Sequence, residues 1–590
     1  MDSAFAIKDQ ERYRDHSASL PNAIDLSHHL STLSKNRQTS ALKDLYRYAA
    51  RPGMIALAGG LPNPETFPFL EMSAEVQTPD ALSITPVTAN PTTAEALDAQ
   101  SMVKKPSFLS WLFGKKNTET ITIPKAPVNS SPMDINLQTL LQYSSAQGHP
   151  ALIAFIKEFV SKVYQPAFGD WDVLLNVGAT MAWNHVVFML LEPGDGVLYE
   201  EWSYPGAMNT ADPLGTHKVS IKVDGQGLIP EDMNKVLEEW DEEKRGFRRP
   251  KVLYTVPTGQ NPTGATMLAE RKKIIYDICV KYGKSSIPYR QSGKDADSTC
   301  TADIIIVEDE PYYALYADPW VSRKHPKQFG ARYADVEHHK DSKDTDGEFL
   351  KKLPPSYLKF DYQGRVIRMD APSGIAQASN PERICGRPRN LQDLDFQAMV
   401  GKLLADTWKY DGYIRWLRGI KATYAMRRDW MCDLFESVFH LEFDQTLPLS
   451  PNIKWVTAYE RTTPRTIMDE KAGFKSKKAV VSFVPPTAGM FVWLAVHLPS
   501  HPDFEQTKRD EGKDGVNKML YDLWTELAES NVLVCPGYFF DAQPGVPHEG
   551  AEDIGFFRLS FSMASHEQME AAVKTMYKVF IKFFQGKEAL

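Results

Sequence analysis

Three consecutive acids close one of the most apolar runs in the chain, Ile304-Ile305-Ile306-Val307-Glu308-Asp309-Glu310, with Pro311-Tyr312-Tyr313 directly behind them. A carboxylate at the end of a buried strand is unfavourable unless a cation meets it. The protonated ring nitrogen of a ligand would serve as well as a side chain; otherwise the acid is a helix cap or a surface charge. A second such residue is Arg558, inside Gly555-Phe556-Phe557-Arg558-Leu559-Ser560-Phe561. A guanidinium within an apolar strand suits two-point capture of a carboxylate, whereas on an edge strand it is only a solvated charge.

Three further segments carry polar groups that a ligand could use. In Asn176-Val177-Gly178-Ala179-Thr180-Met181 a strand ends in glycine and opens a helix, whose free N–H groups and dipole favour phosphate. Taken alone, a Gly-Ala turn is usually just a turn. In Glu200-Glu201-Trp202-Ser203-Tyr204-Pro205-Gly206 the tyrosine can lie on a flat heteroaromatic ring or pack the turn. The loop Val256-Pro257-Thr258-Gly259-Gln260-Asn261-Pro262-Thr263-Gly264 is the strongest signal: its prolines and glycines fix a rigid backbone that presents the Asn261 amide.

The elements that must position these groups alternate. Strands are predicted at Val173–Val177, Gly196–Tyr199, Lys251–Val256 and Ile304–Glu308. Helices follow Ala179 through Leu191 and span Leu268–Tyr282, with a helix pair over Leu141–Val160. The alternation predicts an α/β fold, a mainly parallel sheet with crossover helices, and ligands of such sheets gather at the C-terminal strand ends. The chain then turns helical from Leu403 through Phe439. Strands at Gly489–Leu494 and Phe556–Phe561 and a helix from His566 make a smaller α+β domain. The boundaries read as 1–75, an N-terminal segment joining the small domain, with a helical stretch at Ala41–Ala50; 76–134, a Thr/Pro/Ala/Ser-rich mobile surface insertion; 135–410, the large domain; and 411–590, the connecting helix and small domain.

Composition bounds the rest. The chain has 590 residues, 43% apolar and 24% charged, with a net charge of -8. That is enough for two or three domains and gives no electrostatic reason for a nucleic-acid partner. No apolar run reaches membrane-spanning length, and the N-terminus has no signal-peptide core. The five scattered cysteines fit a reduced, cytoplasmic setting without a disulfide framework or zinc site.

In this order the motifs resemble those of the class I and II aminotransferases, enzymes that depend on pyridoxal 5'-phosphate. They are most similar to the fungal aromatic aminotransferases and their relatives acting on kynurenine and 2-aminoadipate. Gly59-Gly60-Leu61-Pro62-Asn63-Pro64, Leu141-Gln142-Tyr143-Ser144 and Pro485 to Trp493 support that subgroup. The resemblance covers about residues 40–75 and 135–590, with gaps. It implies a homodimer that moves an amino group from an aromatic or related amino acid to a 2-oxo acid, 2-oxoglutarate being the expected acceptor. By the same resemblance, Tyr143 reaches the cofactor phosphate across the dimer interface, and Ala179 and Thr180 hold it within the chain. Tyr204 stacks on the ring, Asn261 and Tyr312 bond its hydroxyl oxygen, and Asp309 pairs with its nitrogen. Arg558, with Asn261, grips the substrate α-carboxylate, and Gly60 closes the site.

One requirement of the resemblance is unmet. Such enzymes bond the cofactor to a lysine that also moves the proton. It stands in a Ser-Lys turn directly after a strand like Gly364-Arg365-Val366-Ile367-Arg368-Met369-Asp370. Here Asp370 is followed by Ala371-Pro372-Ser373-Gly374-Ile375-Ala376-Gln377, a segment that in relatives lies downstream on a helix, and no lysine stands between Lys359 and Lys402. The phosphate-binding serine and arginine of the same block are also missing. Lys359 precedes a strand and Lys402 sits on a helix, so neither has the strand-end position. Residues 285–302 and 379–396 are polar and patternless where a short connection and a continuous helix are expected. Both runs read as untranslated sequence included, and the lysine block as coding sequence lost. The alternative is a catalytically inactive aminotransferase-like protein that binds cofactor or ligand. Decarboxylation on the same fold is disfavoured by Arg558, and a transcription regulator by the lack of a basic helix-turn-helix ahead of the core.

Overall fold

The computed structural model describes residues 20–37, 62–84, 117–129, 133–142, 148–282, 304–322, 345–370, 392–447, 450–461, 478–546 and 548–586. Gly60, Tyr143, the Ala41–Ala50 stretch, residues 285–302, the junction after Asp370 and most of 379–396 lie outside the described residues.

The large domain is built on five strands, β3 (Gly196–Glu200), β4 (His217–Ile221), β5 (Val252–Thr255), β6 (Ile305–Asp309) and β7 (Val366–Met369). Their order is β4-β3-β5-β6-β7, and each pairing is parallel. β3, β5 and β6 are buried along their whole length, which is why each reads as an apolar run rather than an alternating one, closed by Glu200, Thr255 and Glu308-Asp309 respectively. Helices α1 (Pro150–Val163), α2 (Ala179–Leu190) and α3 (Ala269–Lys281) belong to this domain.

Two expectations are corrected. Residues 173–177 form no strand; Leu174 and Val177 are exposed, which a strand buried on both faces would not allow. And 76–134 is not wholly an unstructured insertion. Its end contributes β2 (Thr118–Pro124), paired antiparallel with β1 (Glu71–Gln77). The β-branched Thr-Ile-Thr-Ile run alternates faces and buries Ile121 and Ile123.

The small domain is a six-stranded antiparallel sheet, ordered β8-β9-β10-β11-β13-β12. These are β8 (His440–Leu447), β9 (Ser450–Tyr459), β10 (Ala479–Phe483), β11 (Phe491–His497), β12 (Cys535–Pro536) and β13 (Ile554–Ser560). The long helix α4 (Lys409–Val438) carries the chain into it, and α5 (Phe504–Glu529) and α6 (His566–Gln585) complete it. α6 opens on a capping box between Ser565 and Gln568 and buries Met569, Val573, Met576, Phe580 and Phe584, the three-to-four spacing of one helix face.

Two contacts fix one domain against the other. At Gly259 and Gly489, with φ of 59° and 75°, the rigid loop and the turn before β11 meet backbone to backbone. A Cβ on Gly259 would lie 2.4 Å from the Gly489 nitrogen. At His548, the imidazole stacks on Trp202 at 4.1 Å. Its Nδ1 lies 3.0 Å from Glu201, and its Nε2 is 3.3 Å from Asp541, an ion-pair distance without hydrogen-bond alignment.

Candidate active site

Register places the site. Tyr199 stands beside Tyr254, since Leu198 pairs with Leu253, and Tyr254 pairs with Val307. Alternation then puts Tyr199, Tyr254, Val307 and Asp309 on one face of the sheet, and Glu200, Thr255 and Glu308 on the other. Two of the three consecutive acids therefore face away from the third.

On the far face Glu308 meets Lys272 at 3.5 Å and Arg368 at 3.1 Å and accepts from the Tyr357 amide at 3.0 Å. Burial opposes its charge, but Arg368 and Lys272 outweigh that and hold its pKa below the usual carboxylate value. Glu310 accepts from Thr258 at 2.9 Å and lies 3.4 Å from Lys272; burial pushes it up to about 7. These two acids are structural. Lys272, the buried cation they share, is thereby committed to the far face.

On the near face Asp309 lines a cavity of about 230 Å³ with Ala179, Thr180, Tyr204, Asn261 and Tyr312, all six named from the sequence, and with Tyr254 and Trp183, which were not. Tyr254 donates to Asp309 Oδ2 at 2.5 Å. Among the described residues Oδ1 has no hydrogen-bond partner, although it is buried. Burial pushes the Asp309 carboxyl up to about 6; the Tyr254 hydrogen bond works against that rise, and Asp370 adds to it. A buried carboxylate oxygen without a partner is costly. It fits a site that awaits a cation.

The cavity floor comes from α2. Gly178, at φ 85°, caps the helix without a side chain, and Ala179 and Thr180, the first residues of the helix, line the cavity, where the free amides of a helix start favour an anion. The wall is Tyr204, the residue before the helix that begins at Pro205. A Cβ on Gly206 would sit 2.6 Å from the Tyr204 ring, so the glycine gives the ring its place. Trp183 packs on Tyr254 at 4.9 Å and donates to the Ala207 carbonyl.

The loop Val256–Gly264 is pinned by Gln260. Its Nε2 donates to Glu200 at 3.0 Å and to the Trp202 carbonyl at 2.5 Å. Its Oε1 accepts from the Thr263 amide at 2.8 Å and hydroxyl at 2.7 Å. Asn261 is thereby held at the cavity edge, and its Oδ1 accepts from Arg558 at 2.7 Å. The NH₂ end of the amide is the end turned away from Arg558.

Arg558 lies on β13 between β11 and β12, opposite Trp493 and Cys535, so it is not an edge residue. It stacks on Phe491 at 4.3 Å and Phe540 at 4.8 Å. Burial lowers its pKa from the usual guanidinium value, and its Nε is buried with no partner among the described residues. A guanidinium with unused donors beside the cavity is suited to an anionic group.

Of the residues named from sequence, the structure brings together Ala179, Thr180, Tyr204, Asn261, Asp309, Tyr312 and Arg558. Gly60 and Tyr143 lie outside the described residues. No lysine lines the cavity among the described residues. Lys359 lies in a single turn of 3-10 helix and Lys402 opens a π-helical turn. β7 ends beside Asp309, with Met369 its register partner, and Asp370 follows it, bonded to Arg368 and Tyr164. Tyr254 was legible in principle, because a polar-tipped ring in an apolar strand two registers below an acid can reach it. Trp183 and Gly206 carried no sequence signal of their own.

A family model described as aminotransferase class I and II matches residues 128–285. An aromatic amino acid aminotransferase of Schizosaccharomyces pombe is 29% identical over 566 residues, covering 93% of this chain and 96% of the relative. The L-tyrosine:2-oxoglutarate aminotransferase atrD of Tapinella panuoides is 28% identical, over 90% of this chain and 84% of that one. The aminotransferase swnA of Metarhizium robertsii is 30% identical over 72% of each chain. Among solved structures, the aminotransferase Aro8 from Candida albicans superposes with a TM-score of 0.69 at 28% identity, over 96% of this chain and all of that one.

Proposed function

The chain belongs to the class I and II aminotransferase family, and from that premise we propose that its site is built to transfer an amino group from an aromatic amino acid to 2-oxoglutarate on pyridoxal 5'-phosphate. The observation that carries this reading is Asp309 Oδ1, buried and without a partner among the described residues, at the wall of a cavity whose floor is a helix start. The residues fit the cofactor. Ala179 and Thr180 would hold its phosphate, Tyr204 would lie on its ring, and Tyr312 and the Asn261 NH₂ would bond its hydroxyl oxygen. Asp309 would meet its nitrogen. When bound, that group supplies an electron sink for the substrate carbon. The chain's own part is to bind and orient: Arg558 grips the α-carboxylate, and Phe491 and Phe540 flank it with aromatic surface that suits aromatic donors. The names of the Schizosaccharomyces and Tapinella relatives point to the same donor class, and the second to the same acceptor.

A second reading rests on a different observation. With no lysine between Lys359 and Lys402, the chain as it reads lacks the lysine that would move the proton, and it binds cofactor and amino acid without turnover. The two readings part at the Asp370–Ala371 junction. Sequencing the native transcript there, and assaying glutamate formed from an aromatic amino acid and 2-oxoglutarate, tests both. A transcript with a Ser-Lys block, whose product forms glutamate, establishes the transferase and makes this chain its lysine-less form. A transcript joining Asp370 directly to Ala371 leaves a binding protein. Glutamate production by the present chain would overturn the second reading. The homodimer, with Tyr143 reaching across it, is part of the proposal; elution as a monomer would count against it.

A further inference from the structure

Asp309 can serve a ring nitrogen only if it is ionised and if the right oxygen faces the cavity. Neither follows from its position. Burial favours the neutral acid, and a carboxylate on a strand end can rotate. The groups around it decide both. From β7, Asp370 opposes the charge and Arg368 favours it, both through space, since Arg368 lies on the far face with Glu308 and bonds Asp370. From the following turn comes Tyr312, itself buried and held protonated. From α2 come Thr180 and Trp183, which are uncharged. From β5 comes Tyr254, whose hydroxyl donates to Oδ2 at 2.5 Å while Oδ1 has no partner among the described residues.

Tyr254 is well built for that contact. It is 1% exposed, and its ring is wedged between Trp183 at 4.9 Å and Tyr199 at 5.8 Å. Burial, then the Asp309 charge, raises its pKa well above the usual phenol value, so it stays a donor throughout the working range. A fixed donor to a carboxylate stabilises the charged form and settles which oxygen is occupied.

We propose that Tyr254 is a positioning residue: its hydroxyl holds Asp309 ionised through Oδ2 and so presents Oδ1 to the ring nitrogen of a pyridoxal-type ligand. This rests on the cofactor reading above, and the test separates the two. The probe is pyridoxamine 5'-phosphate, which has the same ring and phosphate but needs no lysine bond, so the full-length chain can be used as it stands. Its dissociation constant is measured from pH 5 to 9 for the natural chain, for Tyr254→Phe, and for Asp309→Asn with and without Tyr254→Phe. The absorption band of the bound ring reports the protonation of its nitrogen.

The natural chain should bind, with affinity falling as pH drops and Asp309 takes up its proton. Tyr254→Phe should bind about tenfold more weakly at pH 7, since a hydrogen bond to a charged group is lost. Its acid limb should move to higher pH, and its band toward the unprotonated ring. In the Asp309→Asn background the same substitution should change nothing. Circular dichroism confirms that each variant is folded, and the Asp309→Asn pair keeps the test open if Tyr254→Phe alone is unstable. Equal affinity and equal pH profiles for natural chain and Tyr254→Phe would overturn this inference alone. No binding by the natural chain would overturn the cofactor reading, and this inference with it.

Discussion

At the scale of single residues, burial and partners decide what each acid does. Glu308 and Asp309 are neighbours on β6, yet one is held charged by Arg368 and Lys272 while the other sits in a cavity at about 6. The sign of the second shift has a consequence for stability. The Asp309 pKa rises from 3.8 to about 6 on folding, so between those values the folded chain holds a proton that the unfolded chain has lost. Its contribution is therefore fully present below pH 4 and is lost as pH rises through 6. Asp309→Asn removes the buried charge. At pH 8 it should stabilise the protein by about 1–3 kcal/mol, a pKa unit being about 1.4 kcal/mol. At pH 4 the gain should vanish. Urea denaturation at both pH values measures this, and an equal difference at the two would contradict it. Arg558 gives a second test. Arg558→Lys keeps the charge but loses the fork and the stacking on Phe491 and Phe540. The affinity for an aromatic amino acid should fall by at least about tenfold, since hydrogen bonds to charged groups contribute about 1.5–3 kcal/mol. Calorimetric titration reads the change directly, and an unchanged affinity would remove Arg558 from the substrate site.

At the scale of elements, the segments that hold the site are those whose local chemistry was already visible. The apolar runs of β5 and β6 and the Pro/Gly loop between Val256 and Gly264 could be placed from sequence, because buried parallel strands and rigid turns leave dense signals. Val173–Val177 was misread because an apolar run of that length fits a strand until its exposure is known. Thr118–Pro124 was missed because a polar, Thr-rich context masked a two-residue alternation whose partner lies upstream at Glu71–Gln77. Pairing between segments distant in sequence cannot be read from either one alone. The loop's glycines were legible as turn formers but not as contact points, and this difference can be measured. Gly215 and Gly259 both have positive φ, 65° and 59°. A Cβ at Gly215 meets nothing within 4 Å, whereas at Gly259 it meets the Gly489 backbone at 2.4 Å. Gly215→Ala should cost about 1 kcal/mol, the left-handed penalty alone. Gly259→Ala should cost about 3 kcal/mol or more, because neither backbone can yield. Similar midpoints for the two variants in thermal denaturation would mean that the joint between loop and small domain is looser than this geometry.

At the scale of the whole molecule, the site depends on how the two domains are held, because Asp309 and Asn261 belong to one and Arg558 to the other. Besides the glycine contact, the joint is His548, which sits between Glu201 after β3 and Asp541 ahead of β13, stacked on Trp202. Nothing in the sequence singled it out, since its partners are separated from it by hundreds of residues on one side and a few on the other. Burial works against its charge, but the two carboxylates prevail and raise its pKa from 6.5 to about 9. The nearby Lys222 and Glu549 pair with each other at the surface. Because the folded value is the higher one, the clasp contributes fully below pH 6.5, and its contribution is lost as pH rises through 9. At about 1.4 kcal/mol per pKa unit, this rise corresponds to about 3 kcal/mol. His548→Gln keeps a polar side chain of similar reach but cannot carry the charge. At pH 6 it should be less stable than the natural chain by about that amount, and by pH 10 the two should converge. Burial of its two carboxylates without a cation makes the variant sensitive at neutral pH, so the comparison is the difference between the chains across pH, not either curve alone. Urea midpoints at pH 6, 8 and 10 provide it. A constant difference would show that His548 acts through packing on Trp202. A difference that closes above pH 9 would show that a protonated imidazole holds the domain carrying Arg558 against the domain carrying Asp309.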